Sequence, residues 1–196
     1  MSESAPLDGR KVLLGISGGI AAYKAPELVR QVVERGAEVR VVMTRAAERF
    51  VAPLTLQTVS GHPVLTDLFE LSEGAEVRHI SLARWAEVGL IAPATANILG
   101  KLAHGIADDP VTTVFLAVTG PTILAPAMND EMWRHPAVAE SVERLREWGY
   151  GFIGPEEGFL AEGYSGFGRM SEPETIAEAL ASLGGGPSIA RAPAGR

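Results

Sequence analysis

The sequence predicts an α/β protein, a single domain on a parallel sheet with helices on both faces. Three observations carry that expectation. An apolar run, Lys11 to Ile16, leads through a glycine turn and an amphipathic helical stretch to a second apolar run, Val39 to Met43, which is the pattern of a βαβ unit. The alternation of apolar run and helical pattern then recurs down the chain. Finally, 196 residues suit one domain large enough to bury its own core.

Taken in order, residues 1–10 are small and polar and read as a flexible lead-in, and the folded domain is expected over 11–183. Lys11 to Ile16 (KVLLGI) reads as a buried strand that ends at Ser17-Gly18-Gly19. The helix that follows gathers Ala21, Ala25, Leu28, Val29, Val32 and Val33 on one face, with Gly36 as its stop. Pro26 near its start predicts a slight kink. Val39 to Met43 and Val88 to Ala92 are the next strands, the latter followed by a helix from about Thr95 to His104. Val111 to Val118 (VTTVFLAV) fits either a strand or a buried helix. Thr122 to Ala125 is a strand, Pro136 to Trp148 a helix, Gly151 to Ile153 a last short strand, and Glu172 to Leu183 a closing helix begun by Glu172-Pro173. The Gly-, Pro- and Ala-rich stretch 184–196 reads as a disordered tail. No internal repeat or domain boundary is visible.

Composition narrows the function. Hydrophobic content of 46% with 21% charged residues is that of an ordinary globular protein, and a net charge of -7 argues against a nucleic-acid binder. With no cysteine in the chain, disulfides, zinc-thiolate sites and a protein thiol nucleophile are excluded, and no metal site is expected. No stretch approaches the ~18 uncharged apolar residues of a membrane helix, and the first residues lack a signal-peptide core. A cytoplasmic location without membrane association is the default expectation.

The turn Gly15-Ile16-Ser17-Gly18-Gly19 sits where a strand feeds a helix, a place where glycines let backbone approach a phosphate. Glycines also serve tight turns, so alone it is a weak signal. Its spacing is not G-x-G-x-x-G, and the second strand ends in Met43-Thr44-Arg45 rather than in an acidic residue that would hold a ribose. A mononucleotide or another phosphate ligand is therefore favoured over a dinucleotide. Two more loops follow strands: Ala92-Pro93-Ala94-Thr95-Ala96-Asn97 and Ala125-Pro126-Ala127-Met128-Asn129. Pro, Ala and Asn are common turn formers, but two near-parallel copies at strand ends suggest one shared site.

These segments resemble a known family, the homo-oligomeric flavin-containing cysteine decarboxylases. The resemblance runs from about Lys11 to Pro173 and rests on GISGGIAAYKAPELVR (15–30), HISLARWAEVGLIAPATANILGKLAHGIADD (79–109), PAMNDEMW (126–133) and GYSGFGRM (163–170). The third is similar to the family's P-x-M-N-x-x-M-W signature, and the last to its substrate-covering stretch. The resemblance implies a Rossmann-like, flavodoxin-like fold, a homotrimer assembled further to a dodecamer, and FMN bound between subunits. It implies FMN contacts at Gly15, Ser17, Gly18, Thr44, Thr95, Ala96 and Asn97. It implies catalytic roles for His79 and Asn129, the latter holding the substrate carboxylate. Met128, Glu162, Gly163, Arg169 and Met170 are the other substrate-binding residues that it implies.

The chemistry agrees with those roles. Histidine titrates near neutral pH and suits a thiol proton. Asn129 offers two N–H donors to a carboxylate without a full opposing charge, and it also suits the N-cap of a short helix through Met132 and Trp133. One position departs from the family. Its coenzyme A branch carries Ala-Cys-Gly where Ala161-Glu162-Gly163 stands, and that cysteine protonates an enethiolate so that a saturated thiol forms. Its loss favours a reaction that stops at the enethiol. The leading expectation is therefore oxidative decarboxylation of the C-terminal cysteine of a ribosomally made peptide to an aminoenethiol. The alternative is a phosphopantothenoylcysteine decarboxylase of coenzyme A biosynthesis with a different proton donor. A non-catalytic flavin-binding regulatory subunit and a prenyl-flavin transferase rank below both.

Overall fold

The computed structural model describes residues 7–69, 78–161 and 163–183. Its centre is a five-stranded parallel sheet in the order β2-β1-β3-β4-β5. The strands are β1 (Lys11–Ile16), β2 (Glu38–Met43), β3 (Val88–Ala94), β4 (Thr122–Pro126) and β5 (Gly151–Phe152). Parallel strands need both faces covered, and the side chains divide accordingly. Val12, Leu14 and Ile16 of β1 pack with α1 (Ala25–Glu34), α2 (Pro53–Ser60) and α8 (Pro173–Ser182). Leu13, between them, packs to the other face with α3 (Arg78–Trp85), α4 (Ala96–His104), α5 (Pro110–Phe115) and α7 (Pro136–Glu147). Each fully buried Leu or Val contributes on the order of 1.5–3 kcal/mol.

Several local outcomes differ from the sequence expectation. Leu7, expected in the flexible lead-in, is 1% exposed, and its N–H donates to Arg35 O at 2.9 Å, so residues 7–10 belong to the folded domain. The expected kinked helix is a 3-10 turn, Ile20–Lys24, that becomes α1 at Ala25. Pro26 lies in the first turn of α1, where its missing N–H costs nothing. Val33 faces solvent rather than the core. The ambiguous apolar run is helical because Asp109 caps it, accepting from Thr112 N at 2.9 Å, with Pro110 in its first turn. The expected tail, 184–196, lies outside the described residues, as does Glu162.

Beyond the parallel sheet stands a two-stranded antiparallel hairpin, β6 (Glu156–Phe159) and β7 (Ser165–Arg169), for which the sequence pattern offers no signal. A short helix, α6 (Asp130–Arg134), precedes α7. Among the described residues, no helix is long and apolar enough to cross a membrane.

Candidate functional site

The strand order dictates where a ligand site forms. The crossover from β1 to β2 runs one way along the sheet and that from β2 to β3 returns the other way. The chain leaving β1 and the chain leaving β3 therefore turn to opposite faces of the sheet, which leaves a crevice beyond their carboxyl ends. A cleft of about 610 Å³ opens there, with walls drawn from the Gly18-Gly19 turn, the start of α4, the Met128-Asn129 loop and the β6–β7 hairpin.

Ser17 fastens the first two walls together. It is 1% exposed, and its hydroxyl donates to Pro93 O at 2.7 Å and lies 3.1 Å from Thr95 Oγ1. Thr95 N in turn donates to Ser17 Oγ at 3.2 Å. Thr95 occupies the N-cap of α4, yet its side chain makes no capping bond. The first turn of α4 thus presents uncapped N–H groups and the positive end of a helix to the cleft, which suits an anion. Gly18 is required for the close approach of two loops, since a Cβ there would lie 2.4 Å from Ala46 Cβ.

The other wall is built around Asn129. Its side-chain oxygen accepts from Glu131 N at 2.9 Å, capping α6. Its amide nitrogen donates to Tyr164 Oη at 2.9 Å, and that hydroxyl donates to Asp130 Oδ1 at 2.6 Å. The Tyr164 hydrogen bond is the main cause holding the Asp130 carboxyl below its ordinary range, with Arg134, 3.1 Å away, assisting. The hairpin docks on this loop through its backbone: Met128 N donates to Gly168 O at 3.0 Å. Side chains on that stretch of β7 would forbid it, because a Cβ on Gly168 would fall 2.0 Å from Met128 O and one on Gly166 3.0 Å from the Asp130 carboxyl carbon.

Cationic groups line the far end. Lys24 and Arg169 both reach the cleft, and both pair with Glu172, Lys24 at 3.0 Å. Burial lowers the Lys24 pKa from its ordinary value, with Arg169 adding to the effect against opposing contributions from Tyr23 and Glu156.

The structure therefore brings together Gly18, Thr95, Ala96, Asn97, Met128, Asn129, Arg169 and Met170 on one cleft. Ser17 and Thr44 stand behind it as buried supports, Thr44 accepting from Ala47 N at 3.2 Å. Gly15 is directed at the core, where a Cβ would meet the Phe115 ring at 2.7 Å. Gly163 takes the turn of the hairpin at φ +90°, a left-handed conformation suited to glycine. His79 lies on α3, which packs against α5 and β1, and does not line the cleft of its own chain. Lys24, Tyr164 and Asp130 are site residues to which the sequence pattern assigns no role. All three lie inside the segments that carry the family resemblance, but none of them stands out there, and for Lys24 the signal is only a cation one turn beyond the glycines.

The family model described as Flavoprotein matches residues 1–184. The chain belongs to the flavoprotein family. Among its relatives, the coenzyme A biosynthesis bifunctional protein CoaBC of Bacillus subtilis (strain 168) is 53% identical over 170 residues, covering 87% of this chain and 42% of that protein. The chain thus spans less than half the length of the curated relatives it matches. Several solved structures share its fold, two decarboxylases among them. A PPC decarboxylase mutant complexed with pantothenoylaminoethenethiol superposes with a TM-score of 0.81 at 37% identity, covering 88% of this flavoprotein and 96% of that chain. The FMN-dependent cysteine decarboxylase SpaF does so with 0.77 at 37%, covering 90% and 97%.

Proposed function

We propose that this flavoprotein is an FMN-dependent decarboxylase whose substrate is phosphopantothenoylcysteine. The observation that carries the substrate is the cationic end of the cleft, where Lys24 and Arg169 stand with no carboxylate among the described residues that line it. With Glu172 behind them, the three groups carry one net positive charge, matched to a phosphate monoester. This reverses the ranking drawn from the sequence, where the missing cysteine favours a cysteine-terminated peptide. Relatives about half identical over most of this chain are coenzyme A biosynthesis proteins, whereas the peptide reading rests on the single position 162.

The residues fit FMN. Uncapped N–H groups at the start of α4 suit its phosphate, and the small residues Gly18, Gly19 and Ala96 leave room for a flat ring system. When bound, the flavin supplies an oxidant for the carbon bearing sulfur, which makes loss of CO2 from the neighbouring carbon feasible. Asn129 holds the carboxylate through its amide N–H groups, and because it carries no charge it does not stabilise the ground state as an ion pair would. His79 takes the thiol proton, serving the cleft of a neighbouring subunit in a homo-oligomer. Trimers assembled to a dodecamer are the expected form.

The test compares phosphopantothenoylcysteine with its dephosphorylated form in wild type and in Lys24→Met. The phosphorylated substrate should lose about tenfold in kcat/KM on substitution, as for one charged hydrogen bond, while the dephosphorylated one changes little. A wild-type enzyme indifferent to the phosphate, yet active on a cysteine-terminated peptide, would overturn the reading.

A further inference from the structure

We propose that Tyr164 is a positioning residue that fixes the Asn129 amide as a one-way donor toward the substrate carboxylate. This rests on the reading of Asn129 as the carboxylate-binding group. The sequence places Tyr164 in a segment similar to a substrate-covering stretch without giving the residue itself a role, whereas the direction of each hydrogen bond in the series Asn129, Tyr164, Asp130 does.

An asparagine amide has a donor end and an acceptor end of nearly the same shape, and a carboxylate is recognised only by the donor end. Two independent constraints select its orientation here. Glu131 N, a backbone donor, lies 2.9 Å from the side-chain oxygen, so the acceptor end faces the helix. On the opposite side Tyr164 Oη lies 2.9 Å from the amide nitrogen. A tyrosine hydroxyl alone would tolerate either end, since it both donates and accepts. Asp130 removes that freedom. This residue is 6% exposed, and its carboxylate, which only accepts while ionised, stands 2.6 Å from the hydroxyl. Tyr164 must spend its single proton on Asp130, so its oxygen can only accept, and what it accepts is the Asn129 N–H. Arg134 at 3.1 Å favours the ionised form of Asp130 and keeps the direction of the chain from reversing.

The consequence is that one amide N–H is tied to Tyr164 and the other remains for a ligand in the cleft that Asn129 lines. A flipped amide would set its carbonyl oxygen against the substrate carboxylate and its N–H against that of Glu131, at unfavourable cost. The same arrangement commits the Tyr164 proton to Asp130, so Tyr164 is not the acid that replaces the missing cysteine. The hairpin thereby couples substrate recognition to its own docking. Tyr164 immediately precedes β7, and Gly166 and Gly168, two and four residues on, are the positions that let this strand lie against Asp130 and Met128.

The test uses the FMN-loaded enzyme and two unreactive ligands that differ only in the carboxylate: phosphopantothenoylserine and its decarboxylated counterpart, phosphopantothenoylethanolamine. Affinities are read by titration calorimetry for wild type, Tyr164→Phe, Asn129→Ala and the double variant. Tyr164→Phe should weaken the carboxylated ligand about tenfold and leave the decarboxylated one unchanged, a selectivity that loss of hairpin structure would not produce. The double variant should bind no worse than Asn129→Ala, because Tyr164 acts through Asn129. If Asn129→Ala loses the carboxylated ligand while Tyr164→Phe binds it as wild type does, the role of Tyr164 is wrong. An Asn129→Ala variant that still binds the carboxylated ligand fully would instead sink the assignment of Asn129, and the positioning role with it. Equal weakening of both ligands in Tyr164→Phe would also overturn the proposal.

Discussion

The loops Ala92–Asn97 and Ala125–Asn129 begin with the same three residues, Ala-Pro-Ala, and both lead from a sheet strand into a helix. They end in opposite chemistry. In the first, Thr95 leaves its helix uncapped and turns its hydroxyl to Ser17, so backbone N–H groups remain for a ligand. In the second, Asn129 caps its own helix with its oxygen and presents its amide nitrogen instead. One loop offers main chain and suits the fixed phosphate of a resident cofactor. The other offers an oriented side chain and suits a carboxylate that must leave as neutral CO2. Similar local sequence has been divided between the two by what stands opposite: Ser17 from the turn after β1 in one case, Tyr164 and Asp130 in the other.

That division can be broken one loop at a time. The largest effect is expected from Asn129→Ala, which removes donor and cap together: kcat/KM should fall on the order of a hundredfold, and thermal stability by about 1 kcal/mol, with FMN retained. Gly168→Ala comes next. Its methyl group would collide with the Met128 carbonyl, and a lower melting temperature equivalent to about 1–3 kcal/mol should accompany weaker binding of carboxylated ligands. Ser17→Ala should do the converse, weakening FMN by about 1 kcal/mol, read by flavin fluorescence on dilution, without altering the preference for carboxylated over decarboxylated ligands. The smallest effect is on pH. Burial lowers the Lys24 pKa, so its charge is lost at lower pH than for an ordinary lysine. Affinity for the phosphorylated substrate should therefore decline early on the alkaline side, and Lys24→Arg should remove that early decline.

Much of this frame is legible in the amino-acid sequence alone. The runs KVLLGI, VRVVM, VGLIA and TILA are predominantly apolar, broken only by Lys11 at an end, Arg40 and Thr122, as expected of strands largely buried on both faces, and each lies within a strand of the parallel sheet. The loops at their ends follow from the rule that ligands bind beyond carboxyl ends of strands. What escapes has physical reasons. The β6–β7 hairpin carries glycines and charged residues where an alternating apolar pattern would be needed, and it is held by docking on the Met128 loop. The helical state of the run after Pro110 is written in Asp109-Pro110, a cap and a first-turn residue, more clearly than in the apolar run itself. Lys24, Tyr164 and Asp130 belong to three separate segments, and only the fold sets Lys24 in the cleft and the other two behind Asn129 on its wall. His79 does not line the cleft, so the role proposed for it depends on the proposed homo-oligomer.

The central claim is the substrate, and one competition decides it. The FMN-loaded enzyme is given equal amounts of phosphopantothenoylcysteine and a peptide ending in cysteine, and both are followed by mass spectrometry. Preferential loss of CO2 from phosphopantothenoylcysteine is the predicted result. Consumption of the peptide alone, with loss of CO2 and two hydrogens, would contradict it.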